Sequence, residues 1–393
     1  MKRLPYGRQE ILPEDIDAVV EVLGSDFITQ GPVVARFEDA LTAYCGASHA
    51  VAVNSATSAL HLACLALELA PGGLAWTTPN TFVATANCIR LCGAAVDFVD
   101  IDPRTYNLCA EALELKLRIR QKAGGQMPSV LIVVDFAGQP CDLKAIRLLA
   151  DEFGFRIIED ASHAIGGRYF GTPIGACIYS DITVFSFHPV KIITTGEGGA
   201  ALCNCPDLHE KMSLHRTHGV RKRLRVGDAV DEPWRYEQLT LGLNYRMTDI
   251  HAALGLSQLI RLDNYVEQRH RLALRYKSLL DPLNYSLPFQ AGYGYSSYHL
   301  FPILVGEPED GGVERLRLYQ AMITQGIGVN VHYIPVHTQP YYQQAGHRLG
   351  DYPVAESYYS RTLSLPIFGS MTEQDQDRVI EVLYDAAGYS QAA

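Results

Sequence analysis

Short apolar runs, each followed by a stretch of helical periodicity, recur through the first half of this chain and leave few folds open to it. The runs are HAVAVN (49–54) before a helical stretch at 57–69, AAVDFV (94–99) before 109–122, and SVLIVVDF (129–136) before 142–152; FRIIED (155–160) follows them. Uninterrupted apolar runs of this length suit strands covered on both faces. Strands joined through helices run parallel, so the sequence predicts an α/β fold around a mostly parallel sheet.

Ahead of the series, Pro13 opens a helix to about Leu23, and a second runs from Val33 to Tyr44 and stops at Gly46; SDFITQGP forms a loop between them. After the series come DITVFSF (181–187) and GGAALCN (198–204), both strand-like, then an Arg- and Lys-rich stretch, 216–238, expected as an exposed excursion. One long helix is expected from Thr248 to about Leu280. A strand near 298–304, a helix near 312–325, a strand near 327–333 and a helix near 372–387 then predict a smaller C-terminal α+β domain. The expected division is 1–247, a large domain with an N-terminal arm, and 248–393, the linking helix and small domain.

With 393 residues, 48% of them apolar, the chain can bury one large core and a smaller second one. Lys and Arg total 33 against 43 Asp and Glu, a net charge of −10, which argues against nucleic acid as a partner. Neither a signal-peptide run nor a membrane span is visible, so no membrane is expected and a cytoplasmic location is. Of the nine cysteines, Cys64, Cys88, Cys92 and Cys177 lie in apolar segments, as reduced packing residues do. The spacing of Cys203, Cys205, His209, His215 and His218 matches no common zinc pattern, and no metal is expected.

Three segments carry chemistry. In SFHPVKIITTGEGG (186–199) a lone lysine, Lys191, follows a buried strand among apolar residues. Partial desolvation there makes its neutral, nucleophilic form more accessible, as Schiff-base chemistry requires. An isolated lysine after a strand is more often a surface residue; its neighbours argue otherwise. In IIEDASHAIG (157–166) a strand ends in two acids. Asp160, at the tip, could hold a pyridine nitrogen protonated, with Glu159 directed to the other face. A strand-terminal Asp alone is more often a cap or turn former. NSATSAL (54–60) opens a helix whose N–H groups and dipole suit a phosphate, although Ser55 or Thr57 could equally be an ordinary N-cap.

In this order and spacing, the three segments resemble the sugar aminotransferase family often named after DegT, DnrJ, EryC1 and StrS, over almost the whole chain. Ser186, Phe187, His188, Lys191, Thr194, Thr195, Glu197, Gly198 and Gly199 match one family signature, and Asn244, Tyr245 and Arg246 match a second. The resemblance implies the aspartate aminotransferase-like fold, fold type I of the enzymes dependent on pyridoxal 5′-phosphate. It also implies that Lys191 is the Schiff-base lysine and that Asp160 pairs with the pyridine nitrogen. Ser186 with Ala56 and Thr57 would bind the phosphate, Phe82 would stack on the ring, and His163 would lie beside the cofactor. Asn244 would reach the phosphate site of a neighbouring subunit, which implies a homodimer with shared sites.

Within the family, NSATSAL, ASHAIG and VDFAG (134–138) resemble the branch that aminates a UDP-linked 4-keto-6-deoxy-N-acetylhexosamine in pseudaminic acid synthesis, with glutamate as donor. By that resemblance Tyr6, the loop of Asp26, Phe27, Ile28 and Thr29, and the segment His332, Tyr333, Ile334 and Pro335 contact substrate. Asp26 and Phe27 differ from the basic and amide residues the branch leads one to expect. Another nucleotide-linked 3- or 4-keto sugar is the alternative substrate. A sugar dehydratase on this fold would carry histidine in place of Lys191, and a non-catalytic regulator would not need the full set of cofactor residues.

Overall fold

The structure is a computed structural model that describes residues 3–222, 234–307 and 311–388. Helices α1 (Pro13–Leu23) and α2 (Pro32–Cys45) come first. The chain continues through β1 (His49–Val53), α3 (Ala56–Ala66), β2 (Leu74–Thr77), α4 (Ala84–Leu91), β3 (Ala95–Phe98), α5 (Ala110–Lys122), β4 (Val130–Val134), α6 (Leu143–Phe153) and β5 (Arg156–Asp160). A small hairpin, β6 (Arg168–Tyr169) and β7 (Thr172–Pro173), precedes β8 (Ile182–Ser186) and β9 (Gly199–Cys203).

Seven of these strands form one sheet, ordered β1-β9-β8-β5-β4-β2-β3. β8, β5, β4, β2 and β3 run parallel. β9 runs against both of its neighbours, because residues 187–198 return from β8 by a loop without a crossover helix. Side chains alternate between two cores: Leu131, Val133, Ile157 and Phe185 pack on one face with α2, while Ile132, Ile158 and Val184 pack on the other with α3 and α4. β2 and α4 go beyond the sequence expectation. Both are short, and α4, ATANCIRL, is rich in weak helix formers that only tertiary packing stabilises.

Helix α7 (Pro206–Arg216) leads to a hairpin of β10 (Val220–Lys222) and β11 (Tyr236–Gln238). The central part of the expected excursion, 223–233, lies outside the described residues. The expected long helix is two, α8 (Asp249–Leu259) and α9 (Leu262–Leu280). Their break at Ile260 and Arg261 lets Arg261 Nη2 donate to both carboxylate oxygens of buried Asp15 on α1, at 2.6 and 2.8 Å. The rest comprises β12 (Gly294–Tyr295), β13 (Phe301–Leu304), α10 (Gly311–Thr324), α11 (Pro340–Gln343), α12 (Pro353–Arg361), β14 (Thr362–Leu365) and α13 (Glu373–Ala386). Phe301, Ile303, Leu318, Met322, Leu363, Val379 and Leu383 form a third core there, which Leu4 of the N-terminal arm joins. The strand expected near 327–333 is instead an extended segment with isolated bridges, Ile327 to Leu4 and Asn330 to Ser364. Asn330 turns its own side-chain oxygen onto the Val331 N–H, at 2.8 Å, which interrupts a ladder.

Behind the tip of β5, Glu159 is 2% exposed and accepts hydrogen bonds from Thr183 Oγ1 at 2.6 Å and Ser180 Oγ at 3.1 Å. Asp135 beside it is fully buried, neither Asp135 Oδ2 nor Glu159 Oε1 has another partner among the described residues, and two carboxyls can pair only through a proton carried by one of them. Burial, followed by the charge of Glu159, pushes the Asp135 carboxyl well above its ordinary range, so Asp135 holds that proton. An acid raised in the folded state favours folding below its unfolded pKa, about 4, and this contribution is lost as pH rises toward the folded value. Replacing Asp135 with Asn keeps a donor toward Glu159 and removes the titration. From about pH 4 upward the melting temperature of the variant should therefore rise relative to that of the parent; a difference that does not change with pH would show that the pair carries no shared proton.

Candidate active site

The turn after β8 sets Lys191. Its N–H donates to the His188 carbonyl at 2.9 Å, while Phe187 closes the loop by pairing with Gly198 and Thr195. The Thr194 hydroxyl adds a third bond, to the Phe187 carbonyl at 2.9 Å. Lys191 thereby enters a cavity of about 650 Å³ bounded by the ends of β5 and β8, the starts of α3 and α4, and the 330–333 segment. Burial lowers its pKa from 10.5 to about 8, against the opposing pull of the Asp160 charge. The neutral amine is thus far more accessible than on an exposed lysine.

Asp160 is 4% exposed, and neutral donors fix both of its oxygens. Thr85 Oγ1 donates to Oδ2 at 2.7 Å, and Ser162 Oγ donates to Oδ1 at 2.6 Å. Thr81 lies behind Thr85, with the two hydroxyls 2.8 Å apart. Since the Thr85 proton is committed to Asp160, Thr81 is the donor in that pair. Two hydroxyls thus orient the carboxyl directly, and Thr81 holds Thr85 in place behind them.

Opposite them, Ser55 caps α3 by accepting the Ser58 N–H at 3.1 Å, which leaves the first-turn N–H groups of Ala56 and Thr57 at the cavity wall. β9 crosses so close to this turn that a Cβ on Gly199 would lie 2.6 Å from the Ala56 nitrogen. Ser186, at the tip of β8, and Phe82, 58% exposed, also line the cavity. An amine, an oriented carboxylate, a helix N-terminus and an open aromatic face are the donor set that a phosphorylated pyridine aldehyde requires.

Of the other sequence candidates, His163, Tyr6, His332 and Tyr333 line the same cavity. The Tyr6 and His332 rings lie 5.6 Å apart, and the Tyr333 hydroxyl is 3.1 Å from His163 Nε2. Ile334 and Pro335 follow Tyr333 out of the cavity, Ile334 being 47% exposed. Asp26, Phe27, Ile28 and Thr29 do not line it: Phe27 and Ile28 are 55% and 50% exposed, and Thr29 pairs with Thr248. Exposed Asn244 pairs with Thr217 and does not line it either.

Sequence reasoning did not single out Thr85, Ser162 or Asn330. Two threonines four apart in a buried segment, and a serine two residues beyond Asp160, were the available signals. Among the described residues no three His, Cys, Asp or Glu side chains are grouped to hold a metal; His209 stacks on His49, with ring centroids 4.7 Å apart.

Two measurements check this geometry. In cofactor-free protein, amine-directed acylation of Lys191, mapped by peptide analysis, should reach half its maximal rate near the lowered pKa of about 8; a midpoint near 10.5 would mean the amine is solvated. Gly199→Ala should cost about 1–3 kcal/mol of stability and weaken phosphate binding at the α3 turn, because the new methyl displaces Ala56.

The chain matches the pattern of the DegT/DnrJ/EryC1/StrS aminotransferase family over residues 9–384. It is 40% identical over 385 residues to the spore coat polysaccharide biosynthesis protein SpsC of Bacillus subtilis (strain 168), covering 97% of this chain and 96% of that protein. It is 37% identical, with the same coverage, to the UDP-4-amino-4,6-dideoxy-N-acetyl-beta-L-altrosamine transaminase of Campylobacter jejuni. Among solved structures, the putative sugar aminotransferase Spr1654 from Streptococcus pneumoniae, in its PMP-form, superposes with a TM-score of 0.89 at 29% identity, covering 98% of this chain and 99% of that one. Helicobacter pylori PseC, described as an aminotransferase involved in the biosynthesis of pseudoaminic acid, superposes with a TM-score of 0.86 at 31% identity, covering 99% and 100%. Matched over residues 9–384 and alike to these relatives over nearly its full length, the chain belongs to the DegT/DnrJ/EryC1/StrS aminotransferase family.

Proposed function

We propose that this sugar aminotransferase moves an amino group from glutamate to C4 of a UDP-linked 4-keto-6-deoxy-N-acetylhexosamine, giving UDP-4-amino-4,6-dideoxy-N-acetyl-β-L-altrosamine. The observation that carries amino transfer is the buried Lys191 amine, with its pKa lowered to about 8, sharing a cavity with the Asp160 carboxyl that Thr85 and Ser162 orient. The sugar assignment is supported by NSATSAL, ASHAIG and VDFAG occurring together and by the Campylobacter relative at 37% identity.

Pyridoxal phosphate, when bound, supplies an aldehyde that condenses with primary amines and a pyridinium ring that accepts the electrons of a breaking C–H bond. Asp160, oriented by the hydroxyls of Thr85 and Ser162, would hold the proton on the ring nitrogen. The α3 turn, with Ser186, would take the phosphate, and the face of Phe82 would fix the ring. Lys191 would then serve twice, first as the nucleophilic amine that anchors the cofactor and later as the base that moves a proton at the substrate carbon.

A second copy of the chain would complete each site. Asp26–Thr29 and Asn244 lie outside the cavity of their own chain, and α1 exposes an apolar stripe of Ile16, Val20 and Leu23, each 57% exposed, beside Phe27 and Ile28. Mixing inactive Lys191→Ala subunits with inactive Asn244→Ala subunits should restore part of the activity through hybrid dimers. No recovery after demonstrated subunit exchange would count against shared sites.

The relative at 40% identity is named for spore coat polysaccharide biosynthesis, which favours, as a second reading, another nucleotide-linked keto sugar. The deciding assay supplies glutamate with each of the two C5-epimeric UDP-4-keto sugars, generated by coupled dehydratases. Selection for the L-altrosamine precursor by 100-fold or more is expected if buried polar groups are left unpaired by the other epimer, at roughly 1–3 kcal/mol each. Preference for the D-gluco epimer or a dTDP sugar would overturn the substrate and leave the family unaffected.

A further inference from the structure

The backbone N–H of Ala137 donates to His163 Nδ1 at 3.3 Å, and an N–H can only donate. His163 Nδ1 therefore carries a lone pair. Burial, reinforced by the charge of Lys191, holds the ring's proton affinity well below the ordinary imidazole value, so the side chain is neutral. In a neutral imidazole with a bare Nδ1, the hydrogen sits on Nε2. That nitrogen lies 3.1 Å from the Tyr333 hydroxyl, so His163 is the donor and the Tyr333 oxygen the acceptor.

The hydroxyl hydrogen of Tyr333 must then point elsewhere. Among the described residues no other hydrogen bond involves this hydroxyl, and Tyr333 lines the cavity that holds Lys191. The ring itself is fixed: Phe136 meets it edge-on at 6.2 Å, His332 packs at 4.9 Å, and Tyr358 Oη donates to the preceding His332 carbonyl at 3.0 Å. Burial raises the Tyr333 phenol, which therefore keeps its proton throughout the working range.

We infer that Tyr333 is a hydrogen-bond donor whose proton His163 turns into the cavity, toward an oxygen that gains negative charge during amino transfer. This rests on the cavity being the site of amino transfer and on nothing about which sugar enters it. The acceptor is a carbonyl or phenolate-type oxygen, belonging either to the bound cofactor or to the keto substrate. A donor held in place before such charge develops needs no reorganisation when it does, and removing one of this kind slows reactions on the order of 100-fold.

The test uses Tyr333→Phe, which keeps the ring packing, beside the parent enzyme. First, ¹⁵N NMR of the imidazole nitrogens in the parent without cofactor should show His163 protonated on Nε2 alone; a hydrogen on Nδ1 would overturn the inference. Second, single-turnover kinetics of the holoenzyme follow the glutamate and sugar half-reactions separately, with the pH titration of the cofactor absorbance as a spectroscopic readout. Slowing of both halves with a shifted absorbance midpoint places the acceptor on the cofactor. Slowing of the sugar half alone, in kcat with KM little changed and the midpoint unmoved, places it on the substrate. A variant that matches the parent in both halves and in midpoint refutes the donor role. Failure of the parent with the proposed sugar alone would bear on the substrate reading, since the glutamate half and the titration need no sugar.

Discussion

Two consecutive carboxyl side chains at the end of β5 leave the strand in opposite directions, and the cavity is organised around what becomes of each. Glu159 is directed into the layer behind the sheet, where it shares a proton with Asp135. Asp160 is directed into the cavity that holds Lys191, where the hydroxyls of Thr85 and Ser162 fix its two oxygens. Were Asp135 and Glu159 both ionised, burial would penalise two charges with no proton between them. The proton held behind the strand removes one of those charges. The open carboxylate at the front of β5 and the single charge shared behind it are thus two sides of the same arrangement.

Lys191 completes the balance. An ammonium fully withdrawn from water is costly, and the lowering of its pKa to about 8 records how much of that cost Asp160 leaves uncompensated. The loop from β8 to β9 can hold the amine there because Gly199 lets β9 approach the α3 turn more closely than any side chain would permit. The same approach brings the α3 N–H groups, Lys191 and Asp160 around one cavity. Close packing of two backbones therefore sets both the electrostatics of the lysine and the place for a phosphate.

Much of this was legible in the sequence where one physical signal dominated. β4 and β5 are buried on both faces, so their apolar runs stand out, and the caps at Gly46 and Ser55 mark helix ends through local chemistry. The α4 helix was not legible, because Thr, Asn and Cys carry little helical signal and only the surrounding core makes the segment helical. The split between α8 and α9 depends on Arg261 meeting Asp15, a contact between residues far apart in sequence that no local pattern encodes. For the same reason Lys191 and Asp160 could be picked from their strand contexts, whereas Thr85 gains its role only when α4 is laid beside β5.

The electrostatics of the cavity also bear on what else the proposed substrate needs. Among the described residues Lys191 is the one lysine or arginine in the lining, and it already feels the charge of Asp160. A nucleoside diphosphate sugar brings at least two negative charges, and desolvating them without cations costs several kcal/mol per charge. The neutral, buried imidazoles of His163 and His332 cannot supply those cations, because burial and the Lys191 charge keep both unprotonated, His332 down to about 3. Among the described residues, His188 is the remaining basic side chain in the lining. A second copy of the chain, as proposed above, would be one source of further positive charge for the nucleotide that carries the sugar.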